Sequence, residues 1–338
     1  MQIQEIKDFF EKDLSIKILD LKELAASGSA RKNYIASTAD KKFIITYNEN
    51  IRENEAFFYF TDVFHHLQLN TPEIFSISPD RKLYLQTYLG AQTLSEIIAK
   101  EKCTERVKHL VTQTLDKLVV LQKSTHDKID YTKTFEYQEY NEIPILHDLN
   151  YFKFMFVDIL GISYHKSTLL SEFNELADKI KNLEPRGLMI RDFQSRNIMV
   201  DEKDNVHFID YQSAMKGPLI YDVVSFLFQA KANFSTSFKQ EMLDYFYAQF
   251  SLGEKDLLQK SLPYLLFIRY LQVLGAYGFR GLVQRKSHFL ESIQQGVDNL
   301  INFSENWEGM PQFPELNSVI NNLKEIELNS KIKEIISV

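Results

Sequence analysis

The sequence predicts an α+β chain in two lobes, a small β-rich one over residues 1–89 and a larger, mainly helical one over residues 90–338. Between residues 34 and 88, short apolar runs separated by polar turns surround a single strongly amphipathic helix. From residue 93 onward apolar residues recur at spacings of three and four, the helical period. The one interruption is a hairpin signature at 198–209, and the side chains with the most chemical potential cluster around it.

Composition bounds the reading. With 338 residues, 44% hydrophobic and 25% charged, the chain is long enough for two lobes with substantial cores. The single cysteine, Cys103, excludes an internal disulfide and fits a reducing compartment. Met1 to Asp8 lacks the apolar core of a signal peptide, so a cytoplasmic location is expected. The most apolar later stretch, Leu262 to Phe279, is broken by Arg269 and Gln272, which predicts no membrane span. A net charge of −7 argues against a general nucleic-acid binder.

In chain order, residues 4–13 read as a short helix with Ile6, Phe9 and Phe10 on one face. Ala25 to Lys32 is a turn of small residues before strands at Tyr34–Thr38 and Phe43–Tyr47. Backbone N–H groups in such a loop can approach a phosphate, with Arg31 or Lys32 adding charge; a plain hairpin turn is the alternative. Glu53 to Leu67 is a helix whose Phe57, Phe60, Phe64 and Leu67 face inward, with Glu53 and Glu55 in the first turn, where the dipole favours acids. Leu83–Tyr88 is the next strong strand, and Leu89-Gly90 reads as a hinge. Helices follow near 93–101 and 104–124, then an irregular aromatic stretch over 125–150, then helices at Tyr151–Leu160 and Thr168–Leu183.

Ile198–Val200 and Val206–Ile209 flank the polar run Asp201 to Asn205, which predicts a β-hairpin with Ile198 opposite Ile209. That pairing sets Asn197 beside Asp210, where their side-chain oxygens can share a divalent cation. Asp192, five residues before Asn197, can face the same point and orient a hydroxyl. These are the parts phosphoryl transfer needs, although a surface hairpin with ordinary turn carboxylates has the same spacing. Asp222 is expected to cap a helix over Val223–Lys231, and further helices are expected near 235–251, 254–279, 286–302 and 314–328.

The segment from Arg191 through Asp192-Phe193-Gln194-Ser195-Arg196 to Asn197, the run Ile209 to Gln212, and Gly217 to Asp222 resemble the aminoglycoside phosphotransferase and choline kinase superfamily. Within it they are most similar to bacterial anomeric kinases of N-acetylmuramate or N-acetylglucosamine in cell-wall recycling. Ser27-Gly28-Ser29 with Arg31, Arg52 to Phe57, Leu85 to Gly90 and Arg269 to Ala276 support the likeness, which runs from about residue 20 to about residue 310.

The resemblance implies a two-lobed protein-kinase-like fold that uses ATP and Mg²⁺. Asp192 would be the catalytic base and Arg196 a second catalytic residue, and Asn197 and Asp210 would hold the metal. The loop Ser27, Gly28, Ser29 and Arg31 would cover the phosphates, and the stretch from Gln86 to Tyr88 would meet the adenine. Gln194, Gln212 and Arg269 would contact substrate, supported by Asp222, Glu53 and Glu55. The chain departs from the pattern at Ile190, where such folds carry His, and in the strand Phe43–Tyr47, which lacks the phosphate-gripping lysine. Arg31, Lys32 or Lys42 would then supply that charge, held by Glu53 or Glu55.

Between Leu257 and Leu290 there is no Asp or Glu, whereas Lys260, Arg269, Arg280, Arg285 and Lys286 are present. That balance suits a carboxylated sugar better than a polycationic aminoglycoside, although each base taken singly reads as a solvated helix-face residue. Tyr151, Phe152 and Phe154 either stack on a sugar ring or belong to the core. The expected activity is phosphorylation of the anomeric hydroxyl of an amino sugar. The alternatives are a kinase of another small alcohol, of choline, homoserine or aminoglycoside type, and a silent kinase-like module that binds nucleotide or a partner.

Overall fold

The computed structural model describes residues 3–24, 31–325 and 327–337. The chain divides into two compact units, Met1–Gln138 with Leu188–Met215, and Glu139–Gly187 with Lys216–Val338.

In the first unit, α1 (Ile3–Leu14) precedes five strands, β1 (Asp20–Glu23), β2 (Lys32–Ser37), β3 (Lys42–Tyr47), β4 (Ile74–Ile77) and β5 (Leu83–Thr87), in the spatial order β1-β2-β3-β5-β4. The pairings β1 with β2, β2 with β3, β3 with β5 and β4 with β5 are antiparallel. One sheet face buries Tyr34, Ala36, Phe43, Ile45, Leu83 and Leu85 against Ile6 and Phe10 of α1 and Ile18. α2 (Ile51–His66) starts where the Asn50 side chain accepts from the Glu53 amide, and it buries Phe57, Phe60 and Phe64. β6 (Gln92–Thr93), α3 (Leu94–Glu101) and α4 (Glu105–Ser124) follow, with capping side chains from Thr93 and Thr104. β6 pairs with β8 (Ile198–Val200), which pairs with β9 (Val206–Phe208). Gly90, ahead of β6, has φ +126°, and a Cβ there would lie 2.6 Å from the Val200 carbonyl oxygen, so only glycine passes β8 at this point.

The second unit is helical: α5 (Glu142–Phe152), a π-helical turn over 153–157, α6 (Asp158–Leu160), α7 (Lys166–Lys181), α8 (Ile220–Leu227), α9 (Thr236–Tyr247), α10 (Leu252–Tyr277), a second π-helical turn over 278–283, α11 (Ser287–Asn306), α12 (Pro314–Glu325) and α13 (Leu328–Ser337). The chain passes between the units along β7 (Arg186–Met189) and β10 (Met215–Pro218). The core of this unit includes Ile145, Leu149, Phe152, Phe156, Leu176, Leu265, Phe267 and Leu271. Glu172 holds the start of α12 by accepting from the Glu315 and Leu316 amides, both at 2.7 Å. No helix among the described residues is long and apolar enough to cross a membrane.

Two sequence expectations need correction here. The stretch 125–150 is irregular only to residue 141, where the Asn141 side chain caps α5 by accepting from the Ile143 amide. Asp222 does not cap a helix, because β10 runs directly into α8 and Leu219 is already helical at φ −58°, ψ −35°. Asp222 therefore lies inside the first turn, fully buried, near the positive end of the helix dipole.

Candidate active site

The loop before β8 is shaped by its backbone. Arg191 has φ +71° and the Asp192 amide donates to the Ile190 carbonyl at 2.9 Å, closing a three-residue turn. Ile190 is 1% exposed, so apolar packing holds the position at which the superfamily pattern has His. Phe193 is buried edge-on against Phe208 of β9, with ring centroids 4.8 Å apart. The Asn197 side-chain amide donates to the Asp192 carbonyl at 2.9 Å, bracing the loop and leaving Asn197 Oδ1 as an acceptor. The five-residue spacing thus has a mechanical reason. Among the described residues no side-chain partner occupies the half-buried Asp192 carboxylate.

The hairpin forms with a register one residue from the expected one. A five-residue turn closed by the Asp201 amide on the Asn205 carbonyl sets Val200 opposite Val206 and Ile198 opposite Phe208, not Ile209. Asn197 consequently faces Ile209, whose amide donates to its carbonyl at 3.0 Å, and Asp210 comes one residue later at φ +65°. Asp tolerates that left-handed conformation better than most residues. Tyr211 then plugs into α2. Its ring stacks on Phe57 at 5.0 Å, and its hydroxyl is 2.7 Å from Thr61 Oγ1.

Arg31 meets Asp210 through Nη2 and lies 3.6 Å from Glu53 Oε1 through Nε. Asn48 Nδ2 donates to Glu53 at 2.8 Å and fixes the second carboxylate. Burial raises the Asp210 carboxyl, but the Arg31 charge and hydrogen bond, the Gln212 amide and the Arg196 charge outweigh it and hold the group below the usual carboxylate range. Gln212 Nε2 donates to Asp210 at 3.1 Å, while its Oε1 is buried with no hydrogen-bond partner among the described residues. Asp210, Asn197 Oδ1 and the Gln212 Oε1 are all oxygen donors, the ligand type that Mg²⁺ prefers.

The other expected site residues are spread more widely. Lys42 lies over the Tyr88 ring at 5.6 Å, Lys32 is exposed, and Glu55 pairs with Arg81, so Arg31 with Glu53 is the combination that meets Asp210. Gln86 Nε2 donates to Thr46 Oγ1 at 3.0 Å, and that hydroxyl donates to Asn33, giving a polar chain across three strands. Ser27, Gly28 and Ser29 lie outside the described residues, but β1 and β2, which flank them, pair as a hairpin. Gln194 is half-buried and Arg196 exposed. Arg269 belongs to the second unit, nearly buried and donating to Gln272, whose amide reaches the buried Asp148 at 3.1 Å.

Sequence reading missed the groups that fix the hairpin from α4. Gln113 accepts from the Val206 amide at 2.6 Å and donates to the Asp204 carbonyl at 3.0 Å, and Arg106 forks onto the Asp204 carboxylate at 2.7 and 3.0 Å. Within the turn, Asp201 accepts from the Lys203 and Asn205 amides, each at 2.8 Å. Burial raises the Asp201 carboxyl and these donors more than reverse it; the Arg106 hydrogen bond lowers Asp204. Both groups bind protons more weakly folded than unfolded, so their stabilisation is complete above the unfolded value near 3.8 and is lost as pH falls below it. Hydrogen exchange, corrected for intrinsic rates, should show the Lys203 and Asn205 amides losing protection as pH falls from about 4 to about 2, before the core of α4 does. Equal loss in both places would disprove the local effect.

The family model described as Phosphotransferase enzyme family matches residues 20–256. The N-acetylmuramate/N-acetylglucosamine kinase of Neisseria meningitidis serogroup B is 24% identical over 178 residues, 52% of this chain and 51% of that protein, so the chain spans about half the length of this curated relative. Among solved structures, choline kinase LicA from Streptococcus pneumoniae aligns with a TM-score of 0.58 at 14% identity, over 88% of this chain and 98% of that one. The Plasmodium vivax ethanolamine kinase gives 0.58 at 14% over 90% and 86%. A spectinomycin phosphotransferase in complex with ADP and spectinomycin gives 0.56 at 14% over 97% and 99%. These likenesses establish a kinase-like fold.

Proposed function

The chain belongs to the phosphotransferase enzyme family, and within it we propose an ATP- and Mg²⁺-dependent kinase acting on the anomeric hydroxyl of an amino sugar, N-acetylmuramate or N-acetylglucosamine. The observation that carries the catalytic reading is the half-buried Asp192 carboxylate, which has no side-chain partner among the described residues, is braced through its own carbonyl by Asn197 and is followed by Asp210 across the hairpin. The acceptor reading rests on the partial likeness to the meningococcal kinase and on the acid-free, basic stretch between Leu257 and Leu290.

Asn197 and Asp210, with Gln212 beside them, are the residues to hold Mg²⁺, which when bound supplies charge neutralisation at phosphate oxygens. Asp192 orients the acceptor hydroxyl and takes its proton as the oxygen becomes a nucleophile. Arg31, anchored by Glu53, replaces the missing strand lysine as the phosphate-gripping cation, and Arg196 adds positive potential near Asp210. Residues 1–89 form the nucleotide lobe in this scheme and 90–338 the catalytic and acceptor lobe. The reaction takes place in the cytoplasm.

A coupled ADP-release assay with N-acetylmuramate, N-acetylglucosamine, their 1-O-methyl glycosides, choline and kanamycin tests the proposal. The free sugars should turn over and the methyl glycosides should not. Turnover confined to choline or kanamycin would move the enzyme to another acceptor class. ADP release by none of them would refute the sugar-kinase reading.

A further inference from the structure

The end of α5 and the end of α10 meet unusually closely. A Cβ on Gly275 would lie 2.9 Å from the Phe152 amide nitrogen, and one on Gly278 would lie 1.9 Å from the Met155 carbonyl oxygen. Each helix gives way to a π-helical turn at this place, over 153–157 and 278–283. Such turns reposition side chains and are frequent at functional sites. Here the approach brings three rings into a row. His147 stacks on Tyr151 with centroids 6.1 Å apart and planes 21° apart, and Tyr151 lies 6.2 Å from Phe279. Phe152, the neighbour of Tyr151, is wholly buried and serves the core, whereas Tyr151 and Phe279 are half-buried and His147 is exposed.

Arg280 adjoins this row. Its guanidinium lies 5.5 Å over the Phe289 ring and close enough to Tyr151 to influence its phenol. Among the described residues it has no carboxylate partner, and the 32 residues between Leu257 and Leu290 contain no acid to provide one. Asp148, on α5, is already engaged by the Tyr140 hydroxyl at 2.9 Å and by Gln272 at 3.1 Å. An oriented guanidinium without an anion, beside aromatic faces, matches one ligand chemistry well. The C–H face of a pyranose packs on rings, and a carboxylate accepts a charge-assisted fork from arginine. Choline and aminoglycosides carry the opposite charge and would be repelled.

We propose that His147, Tyr151, Phe279 and Arg280 form a binding subsite for a carboxylate-bearing amino sugar, which packs against Tyr151 and Phe279 and sets its carboxylate on Arg280. The assignment rests on the amino-sugar reading above and narrows it to the acidic sugar. Isothermal titration of the whole protein with N-acetylmuramate and with N-acetylglucosamine, which lacks the lactyl carboxylate, separates charge recognition from ring packing. Arg280→Gln should weaken N-acetylmuramate on the order of tenfold to a hundredfold and change N-acetylglucosamine by less than about twofold. Tyr151→Leu should weaken both sugars. Unchanged preference in Arg280→Gln, equal loss of both sugars in it, or binding of neither sugar by the wild-type protein would overturn the subsite. Sugar binding with the expected Arg280 dependence but without ADP release would leave the subsite standing and refute the kinase activity instead.

Discussion

Asp192→Asn is expected to lower kcat by a factor on the order of 10²–10⁴, with nucleotide affinity and melting temperature close to wild type. The size follows from losing a positioned proton acceptor, about 3–5 kcal/mol of transition-state stabilisation. The selectivity follows from the local geometry. The loop is held by the Asp192 carbonyl on Asn197, by the Arg191 turn and by Phe193 on Phe208, none of which uses the Asp192 carboxylate. Replacing one carboxylate oxygen by an amide removes no contact that holds the fold. Single-turnover measurements with saturating Mg²⁺-ATP and acceptor would read the chemical step directly, and full activity would exclude Asp192 as the base.

Asp210→Ala should instead weaken binding. Its carboxylate is both the Arg31 partner and the proposed metal ligand, and truncating one member of a buried charge pair typically costs 2–5 kcal/mol in the interactions it serves. Mg²⁺-nucleotide affinity is therefore expected to fall roughly a hundredfold, about 3 kcal/mol, with the dependence on Mg²⁺ concentration flattened. Arg31 is left with Glu53 at 3.6 Å, which should cost about 1–2 kcal/mol of stability after allowance for partial exposure. Asp210→Asn separates the two effects, since its amide oxygen still accepts from Arg31. That variant should melt close to wild type yet bind Mg²⁺-nucleotide weakly. Unchanged affinity in Asp210→Ala, titrated with a non-hydrolysable ATP analogue, would remove Asp210 from the metal site.

Much of this architecture was legible because it repeats. The stripe Phe57, Phe60 and Phe64 announced α2, and the polar run Asp201 to Asn205 announced the hairpin, since helix and turn signals lie within a few residues of one another. Spacing set Asn197 opposite Asp210, but the register is one residue off and Asn197 faces Ile209. Apolar ends of strands do not reveal which residue closes the turn, and here the Asp201–Asn205 backbone bond decides it. Asp222 misled because a short acid before an apolar run is an N-cap signal, whereas a strand running straight into the helix leaves no extended residue to act as a cap. Tyr211 on Thr61 and Val206 on Gln113 are separated by 150 and 93 residues, so no local pattern reports them. Arg31 was one of three basic candidates in the sequence, and only the folded structure shows it meeting Asp210 and Glu53.

The Gln113 contact also bears on self-association. β9 is the outer strand of the order β6-β8-β9, and its ladder partner faces one side only. The two amides on its other side, those of Val206 and Phe208, donate to Gln113 Oε1 and to the Asn70 carbonyl. An open row of such donors is the template on which a second chain adds as a strand. A helix side chain and a loop carbonyl close that template here. The segment that follows the proposed catalytic loop is thereby protected from edge-to-edge aggregation, and a change at Gln113 that removes this contact would first show itself as poor solubility.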